Sequence, residues 1–262
     1  MDKRPIGMFD SGMGGLTVLK EVKGVLPNEE IIYLGDTKNF PYGSKSKESI
    51  IEISRNCVKY LISKNVKLII IACGTATSQS LDVLKEEFSI PIIGIIEPTV
   101  EYLKKEVKEK EKIGVIATQG TIRSKAWQEK IKDQIKNVEV ISQETPLLAT
   151  MAEQGWTNNK VAKYTIKEYM KNFKKVNRLV LGCTHYPMFE ELIKKELNKK
   201  VDIINTGEKV ANYLQEYLKE NDLENDSKEK HYEIYLTYIE ENFVEIAQNL
   251  LQKKITIKIA ET

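Results

Sequence analysis

The feature that most constrains this chain is an alternation. Apolar runs of five to seven residues recur: PIGMFD (5–10), EIIYLGD (30–36), KLIIIAC (67–73), PIIGII (91–96), KIGVIAT (112–118), VEVIS (138–142), RLVLGC (178–183) and VDIIN (201–205). Between them lie helix-length periodic segments such as SIIEISRNCVKYLISKN and QSLDVLKEEF. Continuous apolar strands separated by amphipathic helices imply parallel sheets covered on both faces. The order also repeats. IGMFDSGMGG at Ile6 is answered by IGVIATQGT at Ile113, 107 residues on, and Cys73 of IIIACGT by Cys183 of LVLGCT, 110 residues on. Two related half-chains are the simplest reading. The expected fold class is α/β: two pseudo-symmetric parallel-sheet domains facing each other across a cleft.

After the second half comes the polar KENDLENDSKEK (219–230), then a strand in HYEIYLTY, a helix in IEENFVEIAQNLLQ and a last strand in ITIKIAE. This tail has no counterpart between the halves, so it is expected to return to the first domain. The expected division is residues 1–97 with 208–262, and residues 98–207.

Composition narrows the class. Hydrophobic residues make up 41% and charged residues 30%, and the net charge is +2. These values suit a soluble globular protein. With no basic patch interleaved with aromatics, nucleic acid is not the expected partner. The start, MDKRPIGMFDSG, lacks the apolar region of a signal peptide, and the run LIIIAC is too short to span a bilayer. Three cysteines without a CxxC argue against a disulfide framework. A cytoplasmic enzyme with reduced thiols is expected.

Each repeat puts one cysteine, Cys73 or Cys183, at the carboxyl end of an apolar strand, where ligands of open α/β sheets bind. A helix start follows each. Thr75 and Thr77 are expected to cap the first helix and Thr184 the second, with Pro187 in its first turn. A helix amino terminus favours a thiolate. Facing each other across a pseudo-two-fold axis, two thiols suit racemisation: one removes a proton from a carbon, and the other returns one to the opposite face. His185 and Asp10 stand where they could assist Cys183 and Cys73.

Plainer roles account for other residues. Cys57 lies on the helical stripe Ile50, Ile53, Cys57, Leu61 and reads as core. His231 opens a strand in a charged region and reads as surface. DSGMGG (10–15) fits neither nucleotide-binding glycine motif. Cys183-Thr184-His185 supplies too few ligands for zinc. No metal or other cofactor is expected.

The motifs FDSGMGGLTVL (9–19), LGDTKNFPYG (34–43), ACGTATS (72–78), IGIIEP (93–98), GVIATQGTIRS (114–124), AEQG (152–155) and LGCTHYP (181–187) together resemble glutamate racemase, the cofactor-independent member of the aspartate/glutamate racemase superfamily. The resemblance runs through nearly the whole chain. It implies interconversion of L- and D-glutamate by Cys73 and Cys183 as the two acid/base residues, assisted by Asp10 and His185, with Asp36 and Glu153 nearby. It implies substrate contacts from Ser11, Pro41, Tyr42, Gly43, Thr75, Thr118, Thr121 and Thr184. It also implies a homodimer that supplies D-glutamate for peptidoglycan. The chain departs from the pattern at Cys73-Gly74-Thr75, where CNT is usual, at Trp127, where tyrosine is common, and at INTGE (204–208). Glycine at position 74 removes a side-chain donor and acceptor at a substrate-contact position and lets the backbone approach more closely. A racemase of aspartate or another amino acid is the alternative within the superfamily. A single-thiol hydrolase, with Cys183 as nucleophile and His185 as base, leaves Cys73 without a task. A non-catalytic binding protein leaves both thiols without one.

Overall fold

The computed structural model describes residues 1–197, 199–226, 232–239, 243–252 and 254–262. Two all-parallel sheets organise the chain. The first contains β1 (Ile6–Asp10), β2 (Ile31–Gly35), β3 (Leu68–Ile71), β4 (Ile92–Gly94), β9 (Tyr232–Leu236) and β10 (Ile257–Ile259), in the order β10-β9-β2-β1-β3-β4. The second contains β5 (Lys112–Ala117), β6 (Glu139–Glu144), β7 (Arg178–Leu181) and β8 (Asp202–Asn205), in the order β6-β5-β7-β8. Without β9 and β10, both sheets run second, first, third, fourth strand. The repeat read from the sequence is thus a repeat of topology. The tail joins the first sheet, where β9 pairs with β2 from Ile31↔Tyr232 to Gly35↔Leu236.

The strand ends differ from the apolar runs in two places. PIIGII leaves the sheet at Gly94, and Ile96 opens helix α4 (Ile96–Glu106). The Thr77 hydroxyl accepts the Ile95 N–H there at 3.4 Å. VEVIS extends to Glu144 because β6 pairs with β5 along its whole length. His231 lies outside the described residues, and the helix expected over 239–252 is described from Phe243 (α11, Phe243–Leu251).

The remaining helices are α1 (Gly15–Val25), α2 (Lys47–Ser63), α3 (Gly74–Glu87), α5 (Gln119–Arg123), α6 (Ala126–Gln134), α7 (Leu147–Glu153), α8 (Lys160–Tyr169), α9 (Glu190–Glu196) and α10 (Thr206–Glu220). Helix α2 begins at Ser46, whose hydroxyl accepts the Ser49 N–H, and buries Ile50, Cys57 and Leu61 at a helical period. Cys57 is core, as its stripe implies. INTGE starts α10: the Asn205 side chain accepts the Gly207 N–H, and Gly207 lets the helix approach α1 closely at Val18. Three apolar cores result. One lies on the outer face of each sheet. The third, built on α1, α4, α6 and α10, joins side chains from both sheets, such as Met8 and Val115. Among the described residues no helix is long and apolar enough to cross a membrane.

At the edge of the first sheet remote from the strands' carboxyl ends, Lys67 and Glu29 form a buried ion pair at 2.6 Å. The ammonium also donates to the Asp2 and Leu223 carbonyls, and Glu29 accepts the Asn225 N–H. Removing one partner of such a pair leaves a buried charge uncompensated. Lys67→Met is expected to lower stability by roughly 3–5 kcal/mol in urea unfolding. Turnover by the folded fraction should be unchanged, because the pair is at the opposite end of the sheet from Cys73.

Candidate active site

The centres of the two sheets meet at their carboxyl ends. In both sheets strand order reverses between the first and third strands, and that switch point opens a crevice. Asp10 ends β1 and Ser11 follows it, and Cys73 comes after β3, Thr118 after β5 and Cys183 after β7. The two crevices form one small cavity of about 80 Å³. Cys73 and Cys183 both line it, and both are free thiols.

The Cys183 side is a hydrogen-bonded line. Cys183 Sγ is 3.6 Å from His185 Nδ1, and His185 Nε2 is 2.6 Å from Glu153 Oε1. Burial pulls the imidazole down, but its hydrogen bonds with Cys183 and Glu153 outweigh that and hold its proton well above the usual histidine range. An imidazolium donates from both nitrogens, so positive charge sits beside Cys183 Sγ. Glu153 Oε1 also accepts the Met13 N–H at 2.8 Å, tying this line to the first half of the chain. The Phe40 ring covers the imidazole with centroids 5.7 Å apart.

The Cys73 side differs. Cys73 is itself the N-cap of α3, its sulfur accepting the Ala76 N–H at 3.5 Å, with Ser11 Oγ 3.8 Å away. Burial pushes this thiol up to about 12, and the Asp10 carboxylate adds to the rise. The helix amide acts in the expected direction but is outweighed. The threonines do not cap. Thr75 lies within α3 and bonds Thr118 at 2.8 Å across the seam, and Thr77 donates to the Ile71 carbonyl. Thr184 precedes a short 3₁₀ turn (Tyr186–Phe189) that starts at His185 without a side-chain cap, with Pro187 in its first turn. The Thr184 hydroxyl donates instead to Asp10 at 2.9 Å. Asp10, drawn from the sequence as an aid to Cys73, thus hydrogen-bonds the opposite half and reaches Cys73 through its charge.

Of the residues singled out from the sequence, Ser11, Pro41, Tyr42, Gly43, Gly74, Thr75, Thr118, Thr184 and His185 line the cavity with the two cysteines. Four stand behind the wall. Asp10 backs Thr184, and Glu153 backs His185. Asp36 accepts the Tyr42 hydroxyl proton at 2.6 Å, and Thr121 bonds Thr118 at 2.8 Å. The sequence reading missed Phe40, Ser44, Gln119, Pro146, Ala149 and Thr150. Phe40 and Gln119 lie inside the quoted motifs LGDTKNFPYG and GVIATQGTIRS and Ser44 directly follows the first, so position along the chain was a usable signal. Pro146, Ala149 and Thr150 come from TPLLAT, where no residue type announces chemistry. Trp127 is buried behind β7, and its indole N–H has no hydrogen-bond partner among the described residues. No group of three or more His, Cys, Asp or Glu side chains among the described residues is placed to hold a metal ion.

Asp10 makes a test of this electrostatic picture. It is fully buried, and burial pushes its carboxyl up to about 6 against the opposing pull of His185 and Thr184. Between its unfolded value of 3.8 and about 6, the folded chain binds the extra proton, so the cost of ionising Asp10 grows as pH rises through that window and is fully present above it. Asp10→Asn removes that cost. It is expected to stabilise the fold by on the order of 2 kcal/mol at pH 7.5 and by less at pH 4.5. Urea midpoints at the two pH values measure this, and a gain no larger at pH 7.5 would contradict the picture.

Comparison with known proteins shows the family. Residues 17–237 match the model of the family described as Asp/Glu/Hydantoin racemase. The chain is 37% identical to a glutamate racemase of Geobacter metallireducens over 258 residues, covering 97% of this chain and 95% of that protein. It is 40% identical to a glutamate racemase of Lactococcus lactis subsp. cremoris over 253 residues, covering 96% and 93%. A crystal structure of glutamate racemase from Francisella tularensis in complex with D-glutamate superposes with a TM-score of 0.92 at 37% identity, covering 100% of this chain and 98% of that one. With two thiols at the meeting of two like sheets, and similarity along its length, this chain belongs to the Asp/Glu/hydantoin racemase family.

Proposed function

We propose that this chain interconverts L- and D-glutamate without a cofactor, using Cys73 and Cys183 as the two acid/base groups. The observation that carries the reading is one cavity lined by two free thiols from like positions of two like sheets. In one direction a thiolate takes the proton from Cα while the C–H electron pair stays on carbon and spreads into the carboxylate. The opposite thiol then protonates the other face, so one sulfur gains the proton that the other gives up. In the reverse direction the roles exchange.

The two sulfurs reach these roles by different routes. His185, oriented by Glu153, supplies positive charge beside Cys183. Among the described residues no cationic side chain hydrogen-bonds Cys73 as His185 does Cys183, and the ammonium group of a bound amino acid supplies that charge. The hydroxyls of Ser11, Thr75 and Thr118 and the backbone at Gly43, Gly74 and Thr184 offer hydrogen bonds to the two carboxylates. Asp10, Asp36, Glu153 and Thr121 hold these groups from behind. In this reading residues 1–97 with 208–262 carry the Cys73 half-site and 98–207 the Cys183 half-site, a division that the separate sheets support. The product suits cytoplasmic supply of D-glutamate to peptidoglycan.

Incubation with L-glutamate in heavy water should show decay of the circular dichroism signal with loss of the α-proton NMR signal. Cys73→Ala and Cys183→Ala are each expected to lower racemisation at least about 10³-fold, as for loss of a general acid or base. Full activity in either variant would sink the two-thiol reading. Comparable turnover of aspartate would widen the substrate, and an acyl adduct on Cys183 by mass spectrometry would point instead to a hydrolase.

A further inference from the structure

Each half lines the cavity with the segment that follows its second strand: residues 40–44 after β2, and Pro146, Ala149 and Thr150 after β6. The two segments are not supported alike. β6 is the edge of its sheet, whereas β2 has the tail strand β9 on its outer side, in register up to Gly35↔Leu236. That register carries Thr237 and Tyr238 alongside Asp36, Thr37 and Lys38, where the loop toward the cavity begins. The Thr237 N–H continues the pairing to the Gly35 carbonyl at 3.1 Å.

There the tail and the loop clamp each other through two threonines. The Thr237 hydroxyl donates to Asp36 Oδ1 at 2.9 Å and accepts the Lys38 N–H at 3.0 Å. The Thr37 hydroxyl accepts the Tyr238 N–H at 3.0 Å and donates to the Tyr238 carbonyl. Asp36 is buried, and among the described residues its carboxylate meets only neutral side-chain donors: the Thr237 and Tyr42 hydroxyls and the Asn39 amide. A buried carboxylate without a cation depends on such donors, so the loss of one disturbs the others. One of them, Tyr42, lines the cavity, and Gly43 beside it accepts the Gly120 N–H of the other half at 2.9 Å. A line of contacts thus runs from Thr237 through Asp36 to Tyr42 and the cavity wall.

We infer that Thr237 is a positioning residue, which through Asp36 holds Pro41, Tyr42 and Gly43 where substrate binds. The inference rests on the racemase reading above, in which this loop contacts substrate, and it gives the unrepeated tail a task at the site. The loop supplies neither thiol. Its displacement weakens the binding of substrate and transition state alike, which raises KM and leaves kcat nearly unchanged. A hydroxyl that served stability alone would act otherwise: its loss would lower the folded fraction and leave the KM of the folded enzyme as it was.

The test is Thr237→Val, which keeps the shape of the side chain and removes the hydroxyl. KM for L-glutamate and for D-glutamate should each rise about tenfold, the scale of one hydrogen bond to a charged group. The kcat per folded enzyme should stay within about twofold of wild type. Thr237→Ser restores the hydroxyl and should return KM to near the wild-type value. Glu233→Gln is the control: it removes the ion pair of β9 with Lys258, away from the loop, and should leave KM as in wild type. An unchanged KM in Thr237→Val, no recovery with serine, or an equal rise in Glu233→Gln overturns the inference. Should Thr237→Val fail to fold, Thr37→Val opens the other side of the same clamp, and an unchanged KM there overturns the inference equally. A wild-type protein that does not turn over glutamate would instead remove the functional reading, and this inference with it.

Discussion

The site depends on one carboxylate oxygen. Glu153 Oε1 accepts the Met13 N–H from the first half and meets His185 Nε2 in the second. It therefore does two tasks at once. It keeps a proton on His185 beside Cys183, and it fastens the loop after β1 to the half that carries Cys183. Buried polar atoms gain little from such bonds relative to water but lose much when left unpaired. The halves are thus held by satisfied groups that would be orphaned by opening. Thr184 donating to Asp10, Thr17 donating to the Thr184 carbonyl, Thr75 bonding Thr118 and the Gly120 N–H donating to Gly43 repeat the logic along the seam.

Pseudo-symmetry explains why two thiols face one cavity, but the two half-sites are not electrostatic copies. Both lie at the switch point of a sheet with the same strand order. One sulfur has an imidazolium beside it. The other has a buried carboxylate nearby and is pushed up to about 12. A repeated backbone places the groups at matching positions, and divergent side chains then decide the charge each one feels. A reaction run in both directions tolerates this inequality because the substrate brings charges of its own.

The alternation of strands and helices, the repeat and the residue types at strand ends were legible in the sequence because they are local. The parallel-sheet class, the two cysteines at corresponding strand ends and the core role of Cys57 follow from patterns a few residues long. The capping assignments were not legible. Thr75, Thr77 and Thr184 look like caps locally, yet Thr75 and Thr184 find partners brought from the other half, Thr118 and Asp10, and Thr77 donates back to the Ile71 carbonyl at the end of β3. Propensity lost to tertiary hydrogen bonding.

What the sequence by itself determined is therefore the inventory: two related α/β halves, one thiol at each, and acids and hydroxyls in the adjoining loops. What only the tertiary structure decided is how that inventory is wired. Glu153 is 140 residues from Met13, and Thr184 is 174 from Asp10. No periodicity links such positions. They meet because two sheets share a buried seam, and along it glycines leave room for the backbones to touch.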